Sequence, residues 1–320
     1  MPFFALGVAT VLGLAVWSMF VGVSDVSLSS LWQSGWNDEQ IQILLESRVP
    51  RTLALILAGS AMAVSGTILQ MLVRNRFAEP STVGTAEAAK FGFLITLILI
   101  PDAAISVRLA AATAFALLVT ALFLRILRQL SLQSALVVPL VGILLGGVIN
   151  AAATFLAYRF DLMQSLAAWS SGDFSMILRG RYELLWLAFA LTAIAYAFAD
   201  RFTVAGLGED FTTNLGLNYR GVVTLGLVIV SIVTAVVIVT VGMIPFLGLV
   251  VPNLVSLMLG DNVRRALPWV ALLGAGLVLS CDIAGRILNA PYEVPVGTTL
   301  GIIASALFLY LLLRKHARLA

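Results

Sequence analysis

The run VVTLGLVIVSIVTAVVIVTV, at residues 222–241, contains no charged side chain. A helix needs roughly 20 predominantly apolar residues to cross the hydrocarbon core of a bilayer, and this run is long enough. The rest of the chain shares its character, because 61% of the 320 residues are hydrophobic and 11% are charged. Soluble domains carry about 25% charged residues. The sequence therefore predicts a protein embedded in a membrane.

Other apolar runs, separated by short polar breaks, predict an all-α polytopic membrane protein with about ten transmembrane helices. Transmembrane barrels show short alternating segments instead. The first run lacks a basic segment and a cleavage pattern, so we interpret it as a membrane helix and not as a signal peptide. We expect a single transmembrane domain over residues 1–320. The predicted spans are 3–21, 49–73, 83–100, 109–127, 135–157, 182–198, 222–241, 246–259, 267–288 and 296–313.

The positions of lysine and arginine predict the orientation, because short cytoplasmic loops carry an excess of both. With both termini in the cytoplasm, the inner connections hold Arg74, Arg125, Arg201 and Arg264. The outer connections then hold most of the acidic residues, although the segment near Arg179 departs from the rule. The net charge of +3 does not indicate nucleic-acid binding, because the basic residues lie at helix ends.

The passage DRFTVAGLGEDFTTNLGLNYRG, at residues 200–221, is polar between two apolar runs. Its centre predicts a short helix bounded by two glycines, with two acids in the first turn, where they suit the helix dipole. Its phenylalanine and the following leucine are spaced i, i+4 and share one face. Helices that rest on lipid usually carry lysine and arginine, so the acids favour docking of a cytosolic partner over a surface linker. The residues concerned are Leu207, Gly208, Glu209, Asp210, Phe211, Leu215 and Gly216.

Glycine and proline interrupt the apolar stretch at residues 242–253. Proline removes a backbone donor, and broken backbone at membrane depth is tolerated only where it is buried in protein or lines a cavity. The stretch, together with the start of the tenth span, is thus a candidate wall of a pathway; the alternative is a kink accommodated by packing. The candidate positions are Gly242, Pro245, Gly248, Pro252, Asn253, Pro295 and Gly297.

Polar residues within the spans need partners. Gln70 lies among small residues at helical spacing, which suit close helix packing. Glu87 and Lys90 lie i, i+3, and Asp282 and Arg286 lie i, i+4, so we expect each pair to neutralise itself and to face the interior. No metal-ligand cluster, catalytic triad or GxxxxGK[ST] phosphate loop occurs. The sequence thus predicts a protein that is not an enzyme and has no catalytic residue, metal site or cofactor.

Several ordered motifs together resemble the permeases of bacterial type II ABC importers for iron–siderophore complexes and cobalamin, a FecCD-like family, over nearly the full chain. The motifs are RVPR at 48–51, SGTILQ at 65–70, LGED at 207–210, NLGL at 214–217, GMIPFLGLVVPN at 242–253, GDNVRRALP at 260–268, CDIAGR at 281–286 and YEVPVG at 292–297.

The resemblance implies a ten-helix subunit of the bacterial inner membrane that dimerises around a pathway for a ferric siderophore. It also implies two ATPase subunits, which hold ATP and magnesium, and a periplasmic or lipid-anchored binding protein. The polar passage then corresponds to coupling helices at about 203–219. Arg48, Arg51 and Arg286 correspond to positions that meet acidic residues of the binding protein. The alternatives are lipid headgroup anchoring for the first two arginines and neutralisation of Asp282 for the third.

Three departures from the family pattern indicate a branch. The usual Asn-Pro-Leu-Ala is here Asn-Arg-Phe-Ala at 75–78, the usual Pro-His is Pro-Asn at 252–253, and the glycine-rich start of the third helix is VGTAEAAKFG at 83–92. This variant resembles importers of catecholate and mixed-ligand siderophores such as petrobactin and anguibactin. Their permeases typically pair with a different permease, so a heterodimer is expected and a homodimer is the alternative.

Other functions remain open on the sequence. An ion-coupled secondary transporter has no need of an ATPase docking helix, and a non-transporting assembly subunit has no need of broken helices beside a cavity. A permease for another iron chelate, haem or cobalamin fits the same motifs.

Overall fold

The computed structural model describes residues 2–22, 38–130 and 137–316, and within these ranges the regular structure is helical throughout. A π-helical turn, Leu44–Arg48, joins the second helix to the third. The helices are α1 (Pro2–Phe20), α2 (Asp38–Ile43), α3 (Val49–Val73), α4 (Thr85–Leu99), α5 (Ile105–Gln129), α6 (Val137–Arg159), α7 (Met163–Ser171), α8 (Leu185–Ala197), α9 (Ala199–Ala205), α10 (Glu209–Asn214), α11 (Tyr219–Val241), α12 (Leu247–Leu259), α13 (Val263–Leu288) and α14 (Val296–His316).

A helix occupies each of the ten predicted spans, and the all-α prediction is confirmed. Among the described residues, six helices are long and apolar enough to cross a membrane, and α8 with α9 would make a seventh span, bent by 67°. Helices α4 and α12 have 15 and 13 residues, fewer than the roughly 20 that a full crossing takes. Ten complete crossings therefore stay a prediction for the shorter helices.

Helix α3 forms the centre of the bundle. Every residue from 57 to 70 is buried, and α3 packs against α8, α11, α12 and α13. A Cβ atom on Gly66 would lie 2.0 Å from the carbonyl oxygen of Gly248, and one on Gly59 would lie 2.8 Å from that of Gly274. The small residues of α3 thus let α12 and α13 approach at backbone contact, and the packing interpretation is confirmed.

The periphery of the bundle is apolar on its outer side. Helices α4, α5 and α11 pack together on one side of α3, and α1 packs on α13. Large side chains of α6 and α8, such as Leu144, Phe155 and Trp186, are exposed. Exposed apolar side chains of this size suit contact with lipid or with another membrane subunit.

Candidate functional site

The short helix α10 has the boundaries that the sequence predicts. Gly208 precedes it with a φ of 113° and Gly216 follows it with a φ of 76°, conformations that glycine adopts without the steric cost of a Cβ atom. Glu209 and Asp210 fill the first turn. The helix and its two glycine boundaries are therefore confirmed as structure, while its role in coupling stays a prediction.

The outer side of this segment carries an apolar patch. Leu207, Phe211 and Leu215 are spaced four residues apart, and 55%, 52% and 58% of their surfaces are exposed. Glu209 and Asp210 are exposed beside them. We call these five residues the coupling patch. Exposed apolar side chains rimmed by charge are typical of a surface that another protein covers.

The opposite side of the segment is fixed to the bundle. The hydroxyl of Thr212 is buried, and its one proton lies between the carbonyl oxygens of Gly208 at 2.6 Å and Val204 at 3.1 Å. Asp200 forms an ion pair with Arg264, and the backbone N–H of Val263 donates to Thr203 Oγ1 at 3.3 Å. These contacts attach α10 to α9, and α9 to the start of α13.

Two of the departures from the family pattern lie in direct contact. The side-chain amide of Asn253, in α12, donates to the carbonyl oxygen of Arg76 at 2.8 Å and to that of Leu249 at 2.7 Å. The Arg76 guanidinium in turn pairs with Asp261 at 2.6 Å, just beyond the end of α12. The two substitutions are thus one structural unit, which ties the loop after α3 to the side and the end of α12.

We expect Asn253→Ala to destabilise the purified protein by roughly 1–2 kcal/mol, because one amide satisfies two backbone carbonyls. Arg76→Ala keeps its carbonyl and removes only an exposed ion pair, so we expect a loss below about 1 kcal/mol. The measurement is thermal unfolding of both variants in one detergent. A larger loss for Arg76→Ala than for Asn253→Ala would contradict this assignment.

The start of α12 is held by groups from the end of α3 and the loop that follows it. Gln70 Nε2 donates to the carbonyl oxygen of Gly248 at 3.2 Å, which supplies the partner that its position required. The carboxylate of Glu79, 1% exposed, accepts the N–H of Phe246 at 2.9 Å and the hydroxyl of Ser81. Burial raises the pKa of the Glu79 carboxyl to about 7. Sequence reasoning missed Glu79, because its partner is 167 residues away.

The pathway candidates fall into two groups. Gly242, Gly248, Pro252 and Gly297 are buried, whereas Pro245, Asn253 and Pro295 are partly exposed. Gly248 packs on Gly66 inside the subunit, so a bulky residue there would push α3 and α12 apart and would not test a pathway. The assignment of the pathway stays a prediction, and the partly exposed residues are the ones at which a substitution can test it.

Gly242 and Gly297 meet at a junction with the end of α7, which the sequence did not indicate. The N–H of Met243 donates to the carbonyl oxygen of Trp169 at 2.9 Å, and the N–H of Gly297 donates to that of Gly172 at 3.1 Å. A Cβ atom on Gly297 would lie 2.3 Å from the carbonyl oxygen of Ser171. Three chain segments thus meet through backbone contacts where α11 ends and α14 begins.

Two arginines at the predicted outer face bind the end of α1. Arg286 is 6% exposed and donates to the carbonyl oxygens of Ser18 at 2.9 Å and Val21 at 2.8 Å. Arg48 is 7% exposed and also donates to the carbonyl oxygen of Val21. The last carbonyls of a helix lack intrahelical partners, and cations are stabilising there. These two arginines therefore fix α1 to α3 and α13.

Arg51 connects two carboxylates. Its guanidinium contacts Asp282 Oδ1 and Glu293 Oε2, at 2.7 Å each, and Asp282 also pairs with Arg286. The expected neutralisation of Asp282 by Arg286 is confirmed, and the carboxylate is 1% exposed. Arg51→Glu would place a third acid beside Asp282 and Glu293 and remove their shared cation, so loss of docking in that variant could not be told from loss of the fold. The docking role stays a prediction.

Glu87 and Lys90 interact as opposite charges, as expected, but not through a direct ion pair. Lys90 Nζ donates instead to Ser170 Oγ at 2.9 Å and to Asn150 Oδ1 at 3.3 Å, and the described residues include no ion pair between it and Glu87. At i, i+3 the two side chains share a helix face, but the polar groups of α6 and α7 lie closer to the ammonium. Lys90 is buried, as predicted, and joins three helices.

Comparison with known proteins places these features in context. The model of the FecCD transport family matches residues 10–314. The petrobactin import system permease protein YclN of Bacillus subtilis is 46% identical over 95% of this chain and 96% of its own. The ferric-anguibactin transport system permease protein FatD of Vibrio anguillarum is 41% identical over 93% of this chain and 94% of its own.

A solved structure supports the fold. A metal-chelate type ABC transporter in an inward-facing conformation matches with a TM-score of 0.82 at 23% identity, over 98% of this chain and 99% of its own. At this identity the likeness shows that the chain has the same fold as the matched transporter chain.

Proposed function

Because the chain belongs to the FecCD transport family, we propose that it is the permease subunit of an ATP-driven ABC importer for a ferric siderophore of the petrobactin or anguibactin class. It spans the bacterial inner membrane several times, with both termini in the cytoplasm. The transported molecule passes from the outer side to the cytoplasm, and the permease itself carries out no chemistry.

The coupling patch is the observation that carries the proposal. It exposes three apolar side chains on a segment that Thr212, Asp200 and Thr203 fix to the bundle. An ATPase that closes on such a patch would move α13 with it. A carrier driven by an ion gradient has no use for this surface, and the identities to petrobactin and anguibactin permeases support the same class.

The proposal includes partners. Two ATPase subunits hold ATP and magnesium, so this chain needs no cofactor. A second permease subunit, preferentially a different one, completes the pathway, and Pro245, Asn253 and Pro295 are the candidate lining residues that remain partly exposed. A periplasmic or lipid-anchored binding protein delivers the siderophore to the outer face near Arg48, Arg51 and Arg286.

Uptake of radioactive iron tests this function. A strain that lacks the chain is expected to lose uptake of ferric petrobactin or ferric anguibactin, and a plasmid copy should restore it. Uptake of ferric hydroxamates, haem and cobalamin through their own importers serves as the control. Loss confined to one of those control substrates would assign the permease to another chelate.

The energy source separates the importer from an ion-coupled carrier. We expect uptake to stop when the phosphate-binding lysine of the partner ATPase is replaced. A protonophore should leave the initial rate largely unchanged while ATP is maintained. The reverse pattern would overturn the ABC assignment and support a secondary transporter.

A further inference from the structure

A cleft of about 480 Å³ lies at the predicted outer ends of α1 and α13. Its described lining includes Val21, Arg286, Pro291 and Glu293. The cleft is large enough for a side chain of a partner protein, and it is lined by groups of both charges. It belongs to the face on which the binding protein docks in the proposed function, and the inference below rests on that function.

The two partners of Arg51 differ in exposure. The side chain of Asp282 is completely buried, whereas 31% of the Glu293 side chain is exposed. Asp282 also pairs with Arg286, while among the described residues the ion pair of Glu293 is with Arg51. Removing a buried partner leaves a charge without compensation, but an exposed ion pair contributes little to stability. Glu293 is therefore the partner that Arg51 exchanges at low cost.

We propose that Glu293 occupies the place on Arg51 that an acidic side chain of the binding protein takes when it docks. The guanidinium donates to Asp282 through Nε and Nη2 and to Glu293 through Nη1 alone, so another carboxylate can take the place of Glu293 on Nη1 without loss of charge or of a hydrogen bond. Asp282 keeps its own contact with Arg51 throughout, and the fold is preserved. Glu293 is thus an internal competitor that lowers the affinity of the resting permease for its binding protein.

Release of Glu293 also affects the contacts of the chain segment that joins α13 to α14. Glu293 lies in the segment between α13 and α14, where the N–H of Val294 donates to the carbonyl oxygen of Gly285 at 3.1 Å. Four residues after Glu293, Gly297 meets Gly172 and Ser171 at the backbone junction. Release of Glu293 removes one of the contacts that hold this segment, directly next to the start of α14.

Binding of the permease complex to its binding protein tests the exchange. The complete transporter in lipid nanodiscs would be titrated with the purified binding protein of the same transport system. We expect Glu293→Gln to bind about fivefold tighter than the parent, because the competing carboxylate is gone and an exposed pair of this kind is worth about that factor. Glu46→Gln is the matched control, since Glu46 is an exposed acid that pairs with Arg179, and we expect it to stay within about twofold of the parent.

Glu293→Asp tests the contact with Arg51 separately from the negative charge at position 293. It keeps the negative charge but is one methylene too short for the 2.7 Å contact with Arg51, so we expect it to bind tighter than the parent as well. The exchange would be overturned if Glu293→Gln bound the protein no tighter than Glu46→Gln does, or if Glu293→Asp bound it like the parent. Neither result would contradict docking or transport. A parent complex that never binds the protein would contradict docking and exchange together, and failure of siderophore uptake would contradict the function itself.

Discussion

A permease that carries both Phe211→Ser and Leu215→Ser is expected to reach the membrane folded and to lose its ATPase, with import falling at least ~100-fold. Both side chains are more than half exposed, so the fold does not depend on them. Apolar anchors at the centre of an interface contribute about 2 kcal/mol or more each. Two of them correspond to roughly a thousandfold in the dissociation constant of the ATPase.

Co-purification of the ATPase with tagged permease, measured together with uptake, checks this expectation. Thr213→Ser with Asn214→Ser is the matched control, because it changes two exposed residues of the same helix and removes little apolar area. The control should keep both the ATPase and import. Full retention of the ATPase by the serine variant of the patch would remove α10 from the coupling mechanism.

Local sequence was sufficient to predict this helix. Its two glycines, its acids in the first turn and its i, i+4 apolar pair all lie within ten residues, and each follows from local helix geometry. The same holds for Asp282 and Arg286, which share one helix face. Features of this kind follow from helical spacing alone, and the structure reproduces them.

Other features depend on tertiary packing, and the spacing of residues along one helix does not reveal which residues of other helices they contact. Arg51 reaches Asp282 across 231 positions and Glu293 across 242, so a single sequence gives no sign of either pair. The hydrogen bonds of Lys90 are of the same kind, since Ser170 and Asn150 approach it from other helices. The meeting of Arg76 with Asn253 likewise became visible only in the folded chain.

Asp282→Ala is expected to have the largest effect on stability, a loss of roughly 3–5 kcal/mol. Its carboxylate is buried and pairs with both Arg51 and Arg286, so its removal leaves two guanidinium groups without their shared counter-charge. The apparent melting temperature in detergent should fall by an amount on the order of 10 °C. Fluorescence-detected size-exclusion chromatography after heating measures this shift.

Glu293→Ala is the control for the same arginine. It removes the other carboxylate of Arg51, but that side chain is 31% exposed, so solvent replaces it and the expected loss is about 0–1 kcal/mol. The difference between the two variants measures burial together with the second ion pair of Asp282, because the 2.7 Å contact with Arg51 is common to both. Equal melting temperatures for the two variants would show that Asp282 is hydrated in the membrane. The ion pairs of Asp282 with Arg51 and Arg286 would then not stabilise the outer face, and Asp282 would release Arg51 as readily as Glu293 does.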